Sequence, residues 1–182
     1  MLKASIFAIA LAPAILAATA NASFIDSATL RFGAVEGTID AFGASLDTDQ
    51  GQTFGAAIGH DLGGPFSVEL SVDNGTADLG AFLPIEANLL TYSASLQMEV
   101  NQDGQLRPFV GVGYDYSQAS GNADIEGSGT GWHYDLGVRT PIAGGFSLEV
   151  MRRAHEGDVD LDFVGDVSVE TVAWTLGLSK SF

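Results

Sequence analysis

Three histidines are the first candidates for chemistry in this chain: His60, His133 and His155. An imidazole acts as a general base only when a partner group lies within hydrogen-bond reach. His133 has Asp135 two residues on, and in a strand two residues apart means the same face. No serine stands near this pair in a nucleophile motif, so it reads as part of a polar network. His60 falls at a tight turn and His155 opens a long connection, which places them at opposite ends of the molecule. A second candidate is Asp158-Val159-Asp160-Leu161-Asp162, which resembles the start of a calcium loop. Such a loop needs Gly at its sixth position and Glu at its twelfth. Here those positions hold Phe163 and Val169, so the run reads instead as a hairpin arm. Weak calcium binding by clustered loop carboxylates stays open. The chain has no cysteine, which excludes disulfides and thiolate metal sites. No catalytic residue, cofactor or metal site is expected, and the chain is read as a non-enzyme.

A third charged set is more informative because its spacing belongs to strands. Arg31, Glu69, Glu99, Asp135, Arg139 and Glu149 each alternate with apolar neighbours. Phe66, Val68, Leu70 and Val72 oppose Ser67, Glu69, Ser71 and Asp73. Trp132, Tyr134, Leu136 and Val138 oppose His133, Asp135, Gly137 and Arg139. A two-residue period puts the charges on one face of a sheet and the apolar groups on the other.

The elements that carry these faces recur. Turn-forming clusters begin at Asp61, Asn101 and Pro141, forty residues apart. Two of them lead into nearly the same sequence, Phe66-Ser67-Val68-Glu69-Leu70 and Phe146-Ser147-Leu148-Glu149-Val150. A forty-residue unit with one tight turn is a hairpin plus a longer connection, and four units make eight strands. The alternation places them at about 27–36, 52–60, 66–73, 89–100, 107–116, 131–140, 146–153 and at the C-terminus. Longer connections are expected over 37–51, 74–88, 117–130 and 154–166. Strands of about 9–11 tilted residues suit a bilayer, and short turns on one side with long loops on the other is the outer-membrane arrangement.

Residues 1–22 read as a cleaved signal peptide: Lys3, an apolar stretch over 4–17, then Ala20-Asn21-Ala22 before Ser23. Removing Lys3 leaves six basic residues against 23 acidic ones. That balance excludes binding to nucleic acid through its phosphates, and it fits cations or basic partners. Past residue 22 no apolar run is long enough for a spanning helix, so residues 23–182 enter a membrane only as a barrel.

The last strand chooses between membrane and water. Trp174, Leu176, Leu178 and Phe182 share one parity, and Lys180 breaks the row near its end, where it can snorkel to the interface. Phe66, Tyr92, Tyr114, Tyr116, Trp132, Tyr134, Phe146, Trp174 and Phe182 fall near strand ends on the apolar face, as interfacial girdles do. A soluble lipocalin-type barrel shows the same period with the apolar face inside.

Together with the Ala-x-Ala leader, the strands Arg107-Pro108-Phe109-Val110-Gly111-Val112-Gly113-Tyr114 and Gly131-Trp132-His133-Tyr134-Asp135-Leu136-Gly137-Val138-Arg139 and the terminal Phe182 resemble the small eight-stranded outer-membrane β-barrel family, the OmpA-like, OmpX-like and opacity-type proteins of Gram-negative bacteria. The resemblance implies an all-β, eight-stranded antiparallel up-and-down transmembrane barrel. It implies contact with outer-membrane lipid, periplasmic chaperones and the barrel assembly machinery, which reads the row Trp174, Leu176, Leu178 and Phe182. An eight-stranded barrel is just wide enough for side chains, so the charged set is expected to pair inside it. The expected role is structural or surface interaction by a monomer displaying four acidic loops, with a surface ligand or cation as partner. A narrow gated channel is the runner-up, an outer-membrane enzyme third and a soluble ligand-binding barrel fourth. Detergent-extracted protein is expected to shift its gel mobility on heating; recovery in the soluble periplasmic fraction would refute the membrane reading.

Overall fold

The computed structural model describes residues 24–41, 44–48, 50–78, 86–121, 126–161 and 165–182. The expected leader lies outside them, as do Asp162 and Phe163. Nine strands follow in chain order: β1 Ser27–Ala41, β2 Ala44–Asp47, β3 Gly51–Gly63, β4 Phe66–Asp78, β5 Glu86–Glu99, β6 Arg107–Gly121, β7 Glu126–Pro141, β8 Phe146–Leu161 and β9 Gly165–Ser181. All pairings are antiparallel, and β9 returns to β1 from Ser27↔Ser181 to Asp40↔Ser168. The sheet thus closes as an up-and-down barrel of β1 and β3–β9. The short β2 is a flap folded back on the end of β1, with Thr38 opposite Asp47.

Three tight connections share one end with Ser27 and Ser181. At Gly63-Gly64 and Gly144-Gly145 the backbone takes φ values of 94°, 62°, 64° and 77°, a region in which side chains are disfavoured. Lys180 sits at this turn end. Its ammonium donates to the Gly144 carbonyl and lies 4.8 Å from the Phe146 ring centroid. The Phe182 N–H donates to the Asp26 carbonyl at 3.0 Å, extending the closure by one bond.

The barrel is inside out relative to a soluble one. Among the described residues 17 polar or charged side chains are buried against seven apolar ones. Outward lie Phe32, Leu70, Tyr92, Val112, Tyr114, Trp132, Tyr134, Leu148, Trp174 and Leu178, all well exposed. An apolar exterior this continuous is stable only against hydrocarbon.

The strands run 13 to 17 residues, excepting β2, well past the ten or so that a bilayer needs. Much of 37–51, 74–88, 117–130 and 154–166, expected as loops, is therefore strand. The reason is a reversal of pattern along each strand. Within the belt the apolar residue points out, as Val150 does; beyond it the apolar residue points in, as Val159 and Val167 do. The outward positions there are acids, such as Asp158 and Asp160. The outward apolar residues stop at that switch, while the hydrogen-bonded register continues to Leu161↔Gly165. This arm end is a short barrel of water-soluble type set on a membrane barrel.

Among the described residues a second cation, besides Lys180 at the turn end, interrupts the outward belt. Arg152 lies on the lipid-facing parity of β8, in register with Leu136 and Trp174. A lipid-facing arginine costs up to about 2–4 kcal/mol at mid-bilayer and close to nothing at the interface. Arg152→Leu is therefore expected to leave the barrel as stable or to stabilise it by about 1 kcal/mol, read by urea unfolding in vesicles; a loss of stability would show that the guanidinium makes a favourable contact.

Candidate functional site

Every strand of the barrel turns alternate side chains into a narrow lumen, and the charged ones meet there in layers. Arg31 on β1 is 1% exposed and sits between two carboxylates. Its Nη1 and Nη2 donate to Glu69 Oε1 and Oε2 at 2.7 and 2.6 Å, a two-pronged pair that matches guanidinium to carboxylate. Its Nε donates to Glu149 Oε1 at 2.6 Å. Glu149 is shared: its Oε2 accepts from Arg139 Nε at 2.8 Å. Arg139 also donates to Gln97 Oε1 at 2.7 Å and Glu99 Oε2 at 3.2 Å, and its guanidinium lies 4.2 Å from the Phe109 ring centroid. Arg107 at the turn-end rim is 3.7 Å from Glu99.

Backbone register explains how these groups reach each other. Gly177 stands between Arg31 and Glu149 across β1, β9 and β8. A Cβ there would press on Arg31 Cγ and Glu149 Cβ, each at 3.3 Å. The missing side chain is the space the ion pair occupies.

Toward the arm end a second layer follows. Arg153 Nε and Nη2 donate to Asp135 Oδ1 and Oδ2 at 2.8 and 3.0 Å, and Nη1 donates to Asp73 Oδ2 at 3.0 Å. Beside it one carboxylate serves two imidazoles. Asp115 Oδ1 lies 2.7 Å from His133 Nδ1, and Asp115 Oδ2 lies 2.6 Å from His155 Nδ1. His133 Nε2 is 3.6 Å from Asp135 Oδ2.

All six residues of the charged set found in the sequence face this lumen. Arg31, Glu69, Glu99, Arg139 and Glu149 meet in one layer, whereas Asp135 joins Arg153 in the next. Asp115, Asp73, Arg153 and Gln97 were not singled out by sequence, although the same inward parity marks each one. His155 is a correction: it does not open a loop but faces inward on β8 and is buried, because β8 continues to Leu161. His60 is likewise within β3 rather than in the turn. It lies 2.8 Å from Asp26 Oδ2 and stacks on Phe24 at 4.2 Å. The Asp61 N–H donates to that same carboxylate, and with His60 alongside it holds the Asp26 carboxyl below its usual range. Trp174, Leu176, Leu178 and Phe182 lie exposed on β9 and just beyond it.

The layers divide the lumen. A vestibule of about 430 Å³ opens at the turn end, lined by Asp26, Glu69, Gln97, Glu99, Arg107 and Arg139 among others. A cavity of about 70 Å³ lies toward the arm end, lined by Thr91, Asp73, Asp115, Arg153, His155 and Thr175 among others. The two share no lining residue. Among the described residues no group of three or more His, Asp or Glu is arranged to hold a metal ion. What the site does chemically is compensate charge inside a narrow tube.

Comparison with known proteins agrees with this architecture. No curated protein matches the chain in sequence. Neisserial surface protein A is 14% identical with a TM-score of 0.65, over 85% of this chain and 97% of that one. The outer membrane protein OprG from Pseudomonas aeruginosa is 14% identical with a TM-score of 0.60, over 87% and 97%. The outer membrane protease OmpT from Escherichia coli is 12% identical with a TM-score of 0.50, over 90% and 100%. At such identities the likeness is one of fold, and a fold that includes a protease does not by itself separate enzymes from other barrels. Residues 7–182 match the family model described as outer membrane protein beta-barrel domain. With an apolar exterior, a closed sheet and that match over nearly its whole length, this chain belongs to the outer membrane β-barrel family and resides in the outer membrane.

Proposed function

We propose that this barrel is a scaffold plugged to hydrated solutes, whose work lies at the surface it displays and not in catalysis. The observation that carries this reading is the layer of Arg31, Glu69, Arg139 and Glu149, which stands between the two cavities. A hydrated solute passes only if those pairs open. Opening them would leave buried charges uncompensated, which is costly in a low-dielectric interior.

The displayed surface is acidic. With the short turns in the periplasm, as in outer-membrane barrels generally, the arms project outside the cell. There Glu36, Asp40, Glu156, Asp158, Asp160, Asp166 and Glu170 fall on the outward parity of β1, β8 and β9. Glu156 stands directly opposite Glu170, and Asp160 opposite Asp166. Like charges facing each other across a ladder cost stability, so the wall is held against its own repulsion. Such a wall suits a cationic partner or loosely held cations. The barrel acts as a monomer in outer-membrane lipid, and the row of Trp174, Leu176, Leu178 and Phe182 is the stretch offered to periplasmic chaperones and the assembly machinery. The second reading is a narrow gated channel, favoured by a cavity toward each end of the lumen.

Planar-bilayer recording separates the two. The scaffold is expected to give no steady nanosiemens-scale opening in potassium chloride, and such openings would replace it with the channel. Glu149→Gln weakens two guanidinium pairs at once. It is expected to destabilise the barrel by about 3–5 kcal/mol, the usual effect of breaking a buried pair, seen as a lower temperature for the heat-dependent gel shift.

A further inference from the structure

Among the described residues five buried side-chain atoms have no hydrogen-bond partner: Ser93 Oγ, Ser95 Oγ, Gln97 Nε2, His133 Nε2 and Thr175 Oγ1. They are not scattered. Gln97 lines the vestibule and Thr175 lines the arm-end cavity. Ser95 and Ser93 continue from Gln97 along the inward positions of β5. Ser95 opposes Gly113, and Gly113 opposes His133. A Cβ on Gly113 would lie 2.5 Å from His133 Nε2, so the glycine lets the imidazole lie across β6 toward β5. Gln97, Ser95 and His133 thus form a strip that runs from the vestibule toward Asp115 and His155, which line the arm-end cavity together with Thr175.

Polar atoms this deeply buried are satisfied by water when protein groups do not reach them, and an internal water needs two to four polar partners. The strip also holds groups that take up and release protons. His133 faces Asp115 on β6, Asp135 on its own strand, and His155 on β8, while Arg153 neutralises Asp135. Counting the lumen as a whole, the carboxylates Glu69, Asp73, Glu99, Asp115, Asp135 and Glu149 face the guanidiniums of Arg31, Arg107, Arg139 and Arg153.

We propose that this strip is a water-filled proton relay, which gives the barrel a permeability to protons from which hydrated ions are excluded. The inference rests on the plugged reading above. With His133 carrying its proton on Nδ1 and His155 carrying its proton on Nε2, a proton arrives through water at Gln97 and Ser95 and binds His133 Nε2. The imidazolium releases its other proton from Nδ1 to Asp115 Oδ1. The carboxyl group turns about its Cβ–Cγ bond and delivers that proton to His155 Nδ1. His155 releases one from Nε2 to water in the cavity lined by Thr91 and Thr175. Each group returns to its starting charge with the two imidazole tautomers exchanged, and the rings turn over before the next transit; one proton has crossed the layer without Arg31, Arg139 or Glu149 moving.

The test uses the whole barrel refolded into vesicles loaded with a pH-sensitive dye, given an acid jump with valinomycin to balance charge, and a separate measurement of potassium efflux on vesicles without valinomycin. Proton entry is expected to exceed that of protein-free vesicles, with potassium efflux unchanged. His133→Gln and Asp115→Asn are expected to slow proton entry by about tenfold, the effect of one raised barrier in a series. Ser95→Ala, which leaves every ion pair in place, is expected to slow it in the same direction. The gel shift on heating identifies variants that have folded. Wild-type entry no faster than in protein-free vesicles, or unchanged entry in folded His133→Gln and Ser95→Ala, overturns the relay and leaves the plug intact. Potassium efflux alongside proton entry overturns both.

Discussion

In hydrocarbon a backbone N–H or C=O without a partner has no water to turn to, and each one left open costs several kcal/mol. The pairing of β1 with β9 removes that cost from the one edge the sheet would otherwise expose, from Ser27↔Ser181 to Asp40↔Ser168. Everything else follows from the closure. Eight strands fix the diameter, and that diameter leaves a lumen only side chains wide. The outward positions must then be apolar and the inward ones must satisfy one another.

The interior meets that second demand by sharing. Glu149 accepts from two arginines, Arg139 donates to three partners and Asp115 lies within hydrogen-bond reach of two imidazoles. Sharing binds strands far apart in the chain, since Arg31, Glu69 and Glu149 come from β1, β4 and β8. Desolvation makes such pairs a weak source of net stability, but once the tube is closed the alternative is an unpaired charge, and that is worse. Glycines at Gly177 and Gly113 supply the room. The packing problem in this lumen is solved by side chains that are absent as much as by those present.

The alternation made the strands and their faces legible without a structure. Where Phe66, Val68 and Leu70 oppose Glu69 and Ser71, nothing but a sheet with two unlike faces accounts for the order. Strand lengths were not legible, because the outward residues turn from apolar to acidic at the edge of the lipid and the pattern reverses around Val159 and Val167. The same reversal hid His155, which looked like a loop residue and lies against Asp115. Parity identified which charges point inward but not which of them meet. That depends on register between strands, which sets the pairing of Arg153 with Asp135 and of His133 with Asp115 rather than Asp135. The flap β2 gave no sign, being four residues long.

The unbroken run of β8 from Phe146 to Leu161 has a mechanical meaning. Glu149, Arg153 and His155 hold its lower part inside the membrane, while Asp158 and Asp160 stand on its upper part. Eleven residues, about 36 Å of extended chain, separate Glu149 from Asp160. The arm is braced on both sides, by β7 to Gly127↔Leu161 and by β9 to Leu161↔Gly165. A load applied at the cell surface therefore acts on a stiff beam rather than a slack tether, and its anchorage is the buried cluster of arginines and carboxylates.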